Sequence, residues 1–122
     1  MRDFIARDMD VIVLSPVVST GWDEVLCEAR AAGIPVLLSD RKIEPADEED
    51  LDLYKTFIGA DFMEEGRRAM GWLQKNVPAG GVRIMEIEGT PGATPTKERS
   101  LGFRASLAGQ DGYEIAHAAS GD

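Results

Sequence analysis

Asp10-Val-Ile-Val-Leu-Ser15 and Ile34-Pro-Val-Leu-Leu-Ser39 bracket the stretch that decides the fold. Both are short, continuous apolar runs, and the first is rich in β-branched residues. Runs of this kind predict strands buried on both faces of a parallel sheet. Between them, Thr20-Gly-Trp-Asp23 has the form of a capping box. The Thr20 hydroxyl is placed to accept from the backbone N–H of Asp23, and the Asp23 carboxylate to reach back. Trp22, Val25, Leu26 and Ala29 follow at the spacing of one helical face. Gly33 stands where a helix closes in left-handed geometry, which glycine adopts without steric cost. Strand, capped helix, glycine stop and strand make a βαβ unit, whose crossover is expected to be right-handed.

The rest of the chain continues in this way. A polar, acidic connection covers residues 42–54, and Thr56 to Ala60 reads as a third strand. Asp61 caps a helix, with Glu64 at the reciprocal position. Pro78-Ala-Gly-Gly81 stops that helix, and Val82 to Ile87 is a fourth strand. Thr94-Pro95 reads as N-cap and N1 proline of a helix running to about Ala108. Tyr113 to Ala118 is a fifth strand. The predicted order is βαββαβαβ, an α/β chain of Rossmann-like parallel units. Its two crossovers, at 15–35 and 87–113, are similar in build, which suggests related halves meeting near residue 60.

Composition narrows the function. The 122 residues are 43% hydrophobic and 29% charged, a globular balance. No apolar run approaches the roughly 20 residues that span a bilayer. Met1-Arg2-Asp3 leads into a short amphipathic stretch without the apolar core of a secretory signal, so on its residues alone the chain is expected to stay in the cytoplasm. A net charge of −9, from 13 basic and 22 acidic residues, argues against nucleic acid and anionic membranes as partners. The single cysteine, Cys27, excludes an internal disulfide and reads as a small buried hydrophobe. One Cys with one His does not make a structural zinc site, and no cofactor is implied.

Ligands of open parallel sheets bind beyond the carboxyl ends of the strands. Three places qualify: Pro16 to Trp22, Asp40-Arg41, and Gly89 to Thr94. Asp40-Arg41 is the sharpest, because a carboxylate beside a guanidinium offers acceptors and forked donors together, the pattern that vicinal sugar hydroxyls match. A surface pair ending the strand is the plainer reading. Gly89-x-x-Gly92 lacks the lysine of a phosphate-binding loop and reads better as a tight turn. Trp22 is placed either to stack on a sugar face or to pack the first helical turn. Trp72 and Phe103 read as core, and His117 as structural. No pair of carboxylates or nucleophile with a base forms a catalytic constellation, so the chain is not expected to be an enzyme.

With these residues in place, the chain resembles the ribose- and galactose-type periplasmic sugar-binding proteins of ABC transporters, and within them the galactofuranose-binding branch. The resemblance rests on Asp10 to Pro16, Val17-Val-Ser-Thr-Gly-Trp22, Ala32-Gly-Ile-Pro-Val-Leu-Leu-Ser-Asp40-Arg41, Glu86-Ile-Glu-Gly-Thr-Pro-Gly92 and Lys97-Glu-Arg99-Ser-Leu-Gly-Phe103. It implies the type I periplasmic binding protein fold in incomplete form, with residues 1–60 in the first lobe and 61–122 in the second. It implies that a monosaccharide is held in a cleft between lobes, by Asp40 and Arg41 from the first and Arg99 from the second. Asp61 matches the acidic position at the first crossing between lobes, where the implied contact is hinge or ligand and simple helix capping is the alternative. Trp22 matches a tryptophan of the branch. The implied setting is the periplasm, and the implied partner a membrane permease.

The family carries a signal peptide and a first βαβ unit ahead of the matched region, and more of the second lobe after it. On this mapping the chain is an internal piece, expected to bind sugar weakly or not at all by itself and to self-associate through open sheet edges. Two other readings stand beside transport: the effector domain of a sugar-responsive transcription repressor, and a stand-alone flavodoxin-like domain with five strands in one sheet.

Overall fold

A computed structural model provides the architecture and describes residues 1–47 and 51–121. Part of the acidic connection, residues 48–50, thus lies outside the described residues. The chain forms two compact units, Met1–Ala60 and Asp61–Asp122.

The first unit contains α1 (Arg2–Ala6), β1 (Ile12–Leu14), α2 (Asp23–Ala31), β2 (Val36–Ser39), a single 3-10 turn (Leu51–Leu53) and β3 (Thr56–Ile58). The strands pair in parallel in the order β1-β2-β3. The register puts Ile12, Leu14, Val36, Leu38 and Phe57 on one face. That face packs with Leu26 and Ala29 of α2, and with Ile34, Ile43 and Leu53, into one core. Leu26 and Leu38 have no exposed surface, and burying each contributes about 1.5–3 kcal/mol.

The expectation of strands buried on both faces is corrected here. Val13 and Ile58, on the opposite face, are 65% and 67% exposed. A continuous apolar run reports that both faces avoid water in the intended fold, whereas α2 covers only one of them. Helix α2 also begins later than the capping box required. Its N-cap is Trp22, without a side-chain cap bond. Gly21, at φ +84°, turns the backbone just ahead of it. The C-terminus of α2 is as expected: Gly33 sits at φ +75°, and the Ile34 N–H donates to the Ala29 carbonyl at 2.9 Å.

The second unit contains α3 (Phe62–Asn76), β4 (Val82–Glu88), α4 (Thr94–Leu107) and β5 (Tyr113–Ser120), with β4 and β5 parallel. The described strands therefore form two sheets, of three and two strands, and the single five-stranded sheet is overturned. Helices α3 and α4 pack backbone to backbone. A Cβ on Gly66 would lie 2.1 Å from the Arg99 carbonyl oxygen, and one on Gly102 would lie 2.0 Å from that of Met63. Phe62 and Met70 are buried beside this crossing. The Tyr113 hydroxyl donates to the Val77 carbonyl, tying β5 to the end of α3. Trp72, read as core from its flanking position, is 62% exposed, because the buried stripe of α3 runs through Phe62, Gly66 and Met70. His117 lies exposed on β5.

Candidate functional site

In the first unit the site begins where β2 ends. Asp40 adopts φ +66°, left-handed geometry that an L residue other than glycine seldom takes and that Asp tolerates best. The ladder forces this turn. The Asp40 N–H donates to the Ile58 carbonyl at 2.8 Å, and the Arg41 N–H folds back onto the Ser39 carbonyl at 2.7 Å. The carboxylate is thereby thrown outward, 67% exposed, at the carboxyl end of the central strand. The guanidinium of Arg41, 30% exposed, stands 3.8 Å from it. One Arg41 donor, Nη1, binds the Val17 carbonyl at 3.1 Å, so the loop after β1 fixes the fork while further N–H donors remain.

That loop also holds Trp22. Its indole N–H donates to the Val18 carbonyl at 2.8 Å, and its half-buried ring packs against the core. The packing alternative is therefore realised for at least part of the ring. Val17 and Val18 are exposed beside it. Asp40, Arg41 and the Val17–Trp22 loop accordingly form one constellation of acceptors, donors and apolar surface.

In the second unit Arg99 projects from α4. Its Nε donates to Glu65 Oε2 at 2.7 Å, and its guanidinium carbon lies 4.8 Å from the centre of the Phe62 ring. The side chain is 52% exposed and lines a cavity of about 500 Å³. Glu86, Thr96, Ser100 and Phe103 are also on the wall, so Phe103 faces this space and not a closed core. Neither Glu65 nor Phe62 was legible as a functional residue. Glu65 lies 34 positions from Arg99, and no local spacing signals a pair made by helix crossing.

Asp61 caps α3 as expected, its Oδ1 accepting from the Glu64 N–H at 2.9 Å. The reciprocal half of the box is missing, because the Glu64 carboxylate turns to Arg68 at 3.0 Å. The Gly89–Thr94 loop is a tight turn, with Gly92 at φ +80° and the Ala93 N–H bonded to the Thr90 carbonyl. Thr94 is the first residue of α4 and Ala93 its N-cap, one position earlier than read. Among the described residues no group of three or more His, Cys, Asp or Glu side chains could hold a metal ion. No helix of the described residues is long and apolar enough to cross a membrane.

A family model described as periplasmic binding protein domain matches residues 1–122. The galactofuranose-binding protein YtfQ of Escherichia coli is 39% identical over 122 residues, all of this chain and 37% of that protein. A Mycobacterium smegmatis protein solved in complex with β-D-fucofuranose superposes with a TM-score of 0.89 at 49% identity, over 99% of this chain and 40% of that one. The binding protein of the arabinose ABC transporter from Shewanella sp. ANA-3, solved with L-arabinofuranose, gives 0.90 at 40% identity, over 99% and 39%. The chain thus spans about two fifths of the length of these relatives, and the Escherichia coli and Shewanella proteins are named as binding proteins.

Proposed function

We propose a function on one premise: this chain belongs to the periplasmic binding protein domain family. It carries part of the sugar-binding cleft of a solute-binding protein that serves an ABC-type importer, and it catalyses no reaction. The observation that carries this reading is the Asp40–Arg41 pair, presented by a left-handed turn at the carboxyl end of the central parallel strand. Asp40 accepts from sugar hydroxyls, and the free edge of the Arg41 fork donates to them. Hydrogen bonds to charged groups contribute about 1.5–3 kcal/mol each, so two or three hold a small polar ligand.

In the second unit, Arg99, oriented by Glu65 and Phe62, offers a guanidinium that donates to ligand hydroxyls. Residues 1–60 belong to the first lobe and 61–122 to the second. Asp61, at the start of the second, marks the crossing, and Trp22 supplies an apolar wall beside the pair. The ligand class is a monosaccharide in furanose form. Galactofuranose, fucofuranose and arabinofuranose are the sugars named for the relatives, and the Val17–Trp22 stretch is shared with the first of these in the resemblance read from sequence. Those names also favour import over the repressor reading. The setting is the periplasm and the protein partner a membrane permease. The isolated chain self-associates through its uncovered apolar face at Val13 and Ile58.

Calorimetric titration of the full-length protein that contains this chain tests the reading. Methyl β-D-galactofuranoside or L-arabinose is expected to bind with micromolar or tighter affinity, and methyl β-D-galactopyranoside at least ten-fold more weakly. Absence of heat with all three would overturn it.

A further inference from the structure

We propose that Asp23 is a positioning residue for the Asp40–Arg41 pair, an inference that rests on the sugar-binding reading above. Among the described residues, at least three hydrogen bonds stitch the segment after β1 to the segment after β2. Arg41 Nη1 donates to the Val17 carbonyl at 3.1 Å, the Glu44 N–H to the Ser19 carbonyl at 2.7 Å, and the Ala46 N–H to Asp23 Oδ1 at 2.8 Å. The seam is packed as well as bonded, since Pro16, Ser19 and Ile43 are buried along it. The ladder bond from Asp40 to Ile58 fixes the beginning of the second segment, and this seam fixes its continuation.

Two of the three acceptors are backbone carbonyls, which every sequence supplies. The acceptor at Asp23 is a side chain, so among these bonds it is the one a substitution removes from the acceptor side. Asp23 is itself well anchored. It is the first residue of α2, whose Leu26 and Ala29 sit fully buried in the core. A carboxylate held that firmly transmits the position of the core, through Ala46, to the loop carrying Arg41. Without it the loop samples other arrangements, and apparent affinity falls by the fraction of molecules that remain competent.

A carboxylate in the first turn of a helix also complements the helix dipole, and Glu24 beside it does the same. The two roles separate by substitution. Asp23→Asn keeps an oxygen acceptor for the Ala46 N–H and discards the charge, whereas Asp23→Ala discards both.

The experiment measures affinity for methyl β-D-galactofuranoside in the full-length protein, together with amide hydrogen exchange of residues 41–46. Asp23→Ala is expected to weaken binding about ten-fold and to speed exchange at Ala46, while Asp23→Asn stays within about two-fold of the unmodified protein in both. Equal losses in the two variants would assign the effect to helix charge and overturn the proposal, as would unchanged affinity in Asp23→Ala. If the unmodified protein binds no sugar, the functional reading has failed with the positioning role that rests on it. Exchange then tests the physical latch: faster exchange in Asp23→Ala alone supports it, and unchanged exchange overturns it too.

Discussion

Replacing Gly66 with alanine tests the packing that places Arg99. The added Cβ would lie 2.1 Å from the Arg99 carbonyl oxygen and 2.7 Å from the Phe103 backbone nitrogen. Real Cβ contacts essentially never fall below 3.0 Å, so the first contact is short by about 0.9 Å (3.0 − 2.1). Both obstacles are main-chain atoms of α4, so no rotamer change relieves them and the helices must separate. Overpacking of this kind costs about 1–3 kcal/mol. Better helix propensity returns up to about 1 kcal/mol, leaving a net loss of as much as ~2 kcal/mol. Gly71, in the same helix, is the control. Nothing lies within 4 Å of its added Cβ, so Gly71→Ala gains the propensity term alone. Urea unfolding followed by circular dichroism is the assay, with Gly66→Ala expected to lower the midpoint and Gly71→Ala to raise it. A shift of α4 also moves Arg99 away from Glu65, so the first variant is expected to weaken sugar binding and the second to leave it unchanged. If Gly66→Ala raises the midpoint as Gly71→Ala does, the close crossing is refuted.

Two further predictions concern the first unit. Hydrogen bonding from Arg2 holds the Glu28 carboxyl below the ordinary carboxylate range, with desolvation opposing and the charge of Arg2 adding to the depression. The Arg2 guanidinium is correspondingly raised, first by its bond to Glu28 and then by that charge, with Glu24 contributing. A depressed folded value means that the pair's stabilisation is present above the unfolded pKa of Glu28 and is lost as pH falls through the folded one. NMR titration should show the Glu28 midpoint rising in Arg2→Ala, and an unmoved midpoint would remove the Arg2–Glu28 link between α1 and α2. Sedimentation of the isolated chain at increasing concentration should show association that Val13→Lys with Ile58→Lys abolishes; a monomer at all concentrations would contradict the role given to that apolar face.

Much of the architecture could be read from local signals. Gly33 announced the end of α2 because its left-handed geometry belongs to one position of a helix terminus. Asp61 announced the start of α3 because its cap bond needs only residues three apart. The Asp40–Arg41 pair was legible because it directly follows an apolar run. What escaped were features made by distant residues. Asp23 turned from its own helix to Ala46 because the indole of Trp22, bonded to Val18, and the turn at Gly21 set a later start for α2. Glu65 and Phe62 gained their place around Arg99 through the glycine crossing of α3 and α4. The one-sided cover of the sheet, which leaves Val13 and Ile58 bare, was hidden because an apolar run does not reveal which partner covers each face.

The most direct measurement is calorimetric titration of Arg41→Ala in the full-length protein against the sugar that the unmodified protein binds. Losing two charge-assisted hydrogen bonds of about 1.5 kcal/mol each predicts an affinity at least ~100-fold weaker. Affinity within about two-fold of the unmodified protein would contradict the assignment of the Asp40–Arg41 pair as the sugar-holding group.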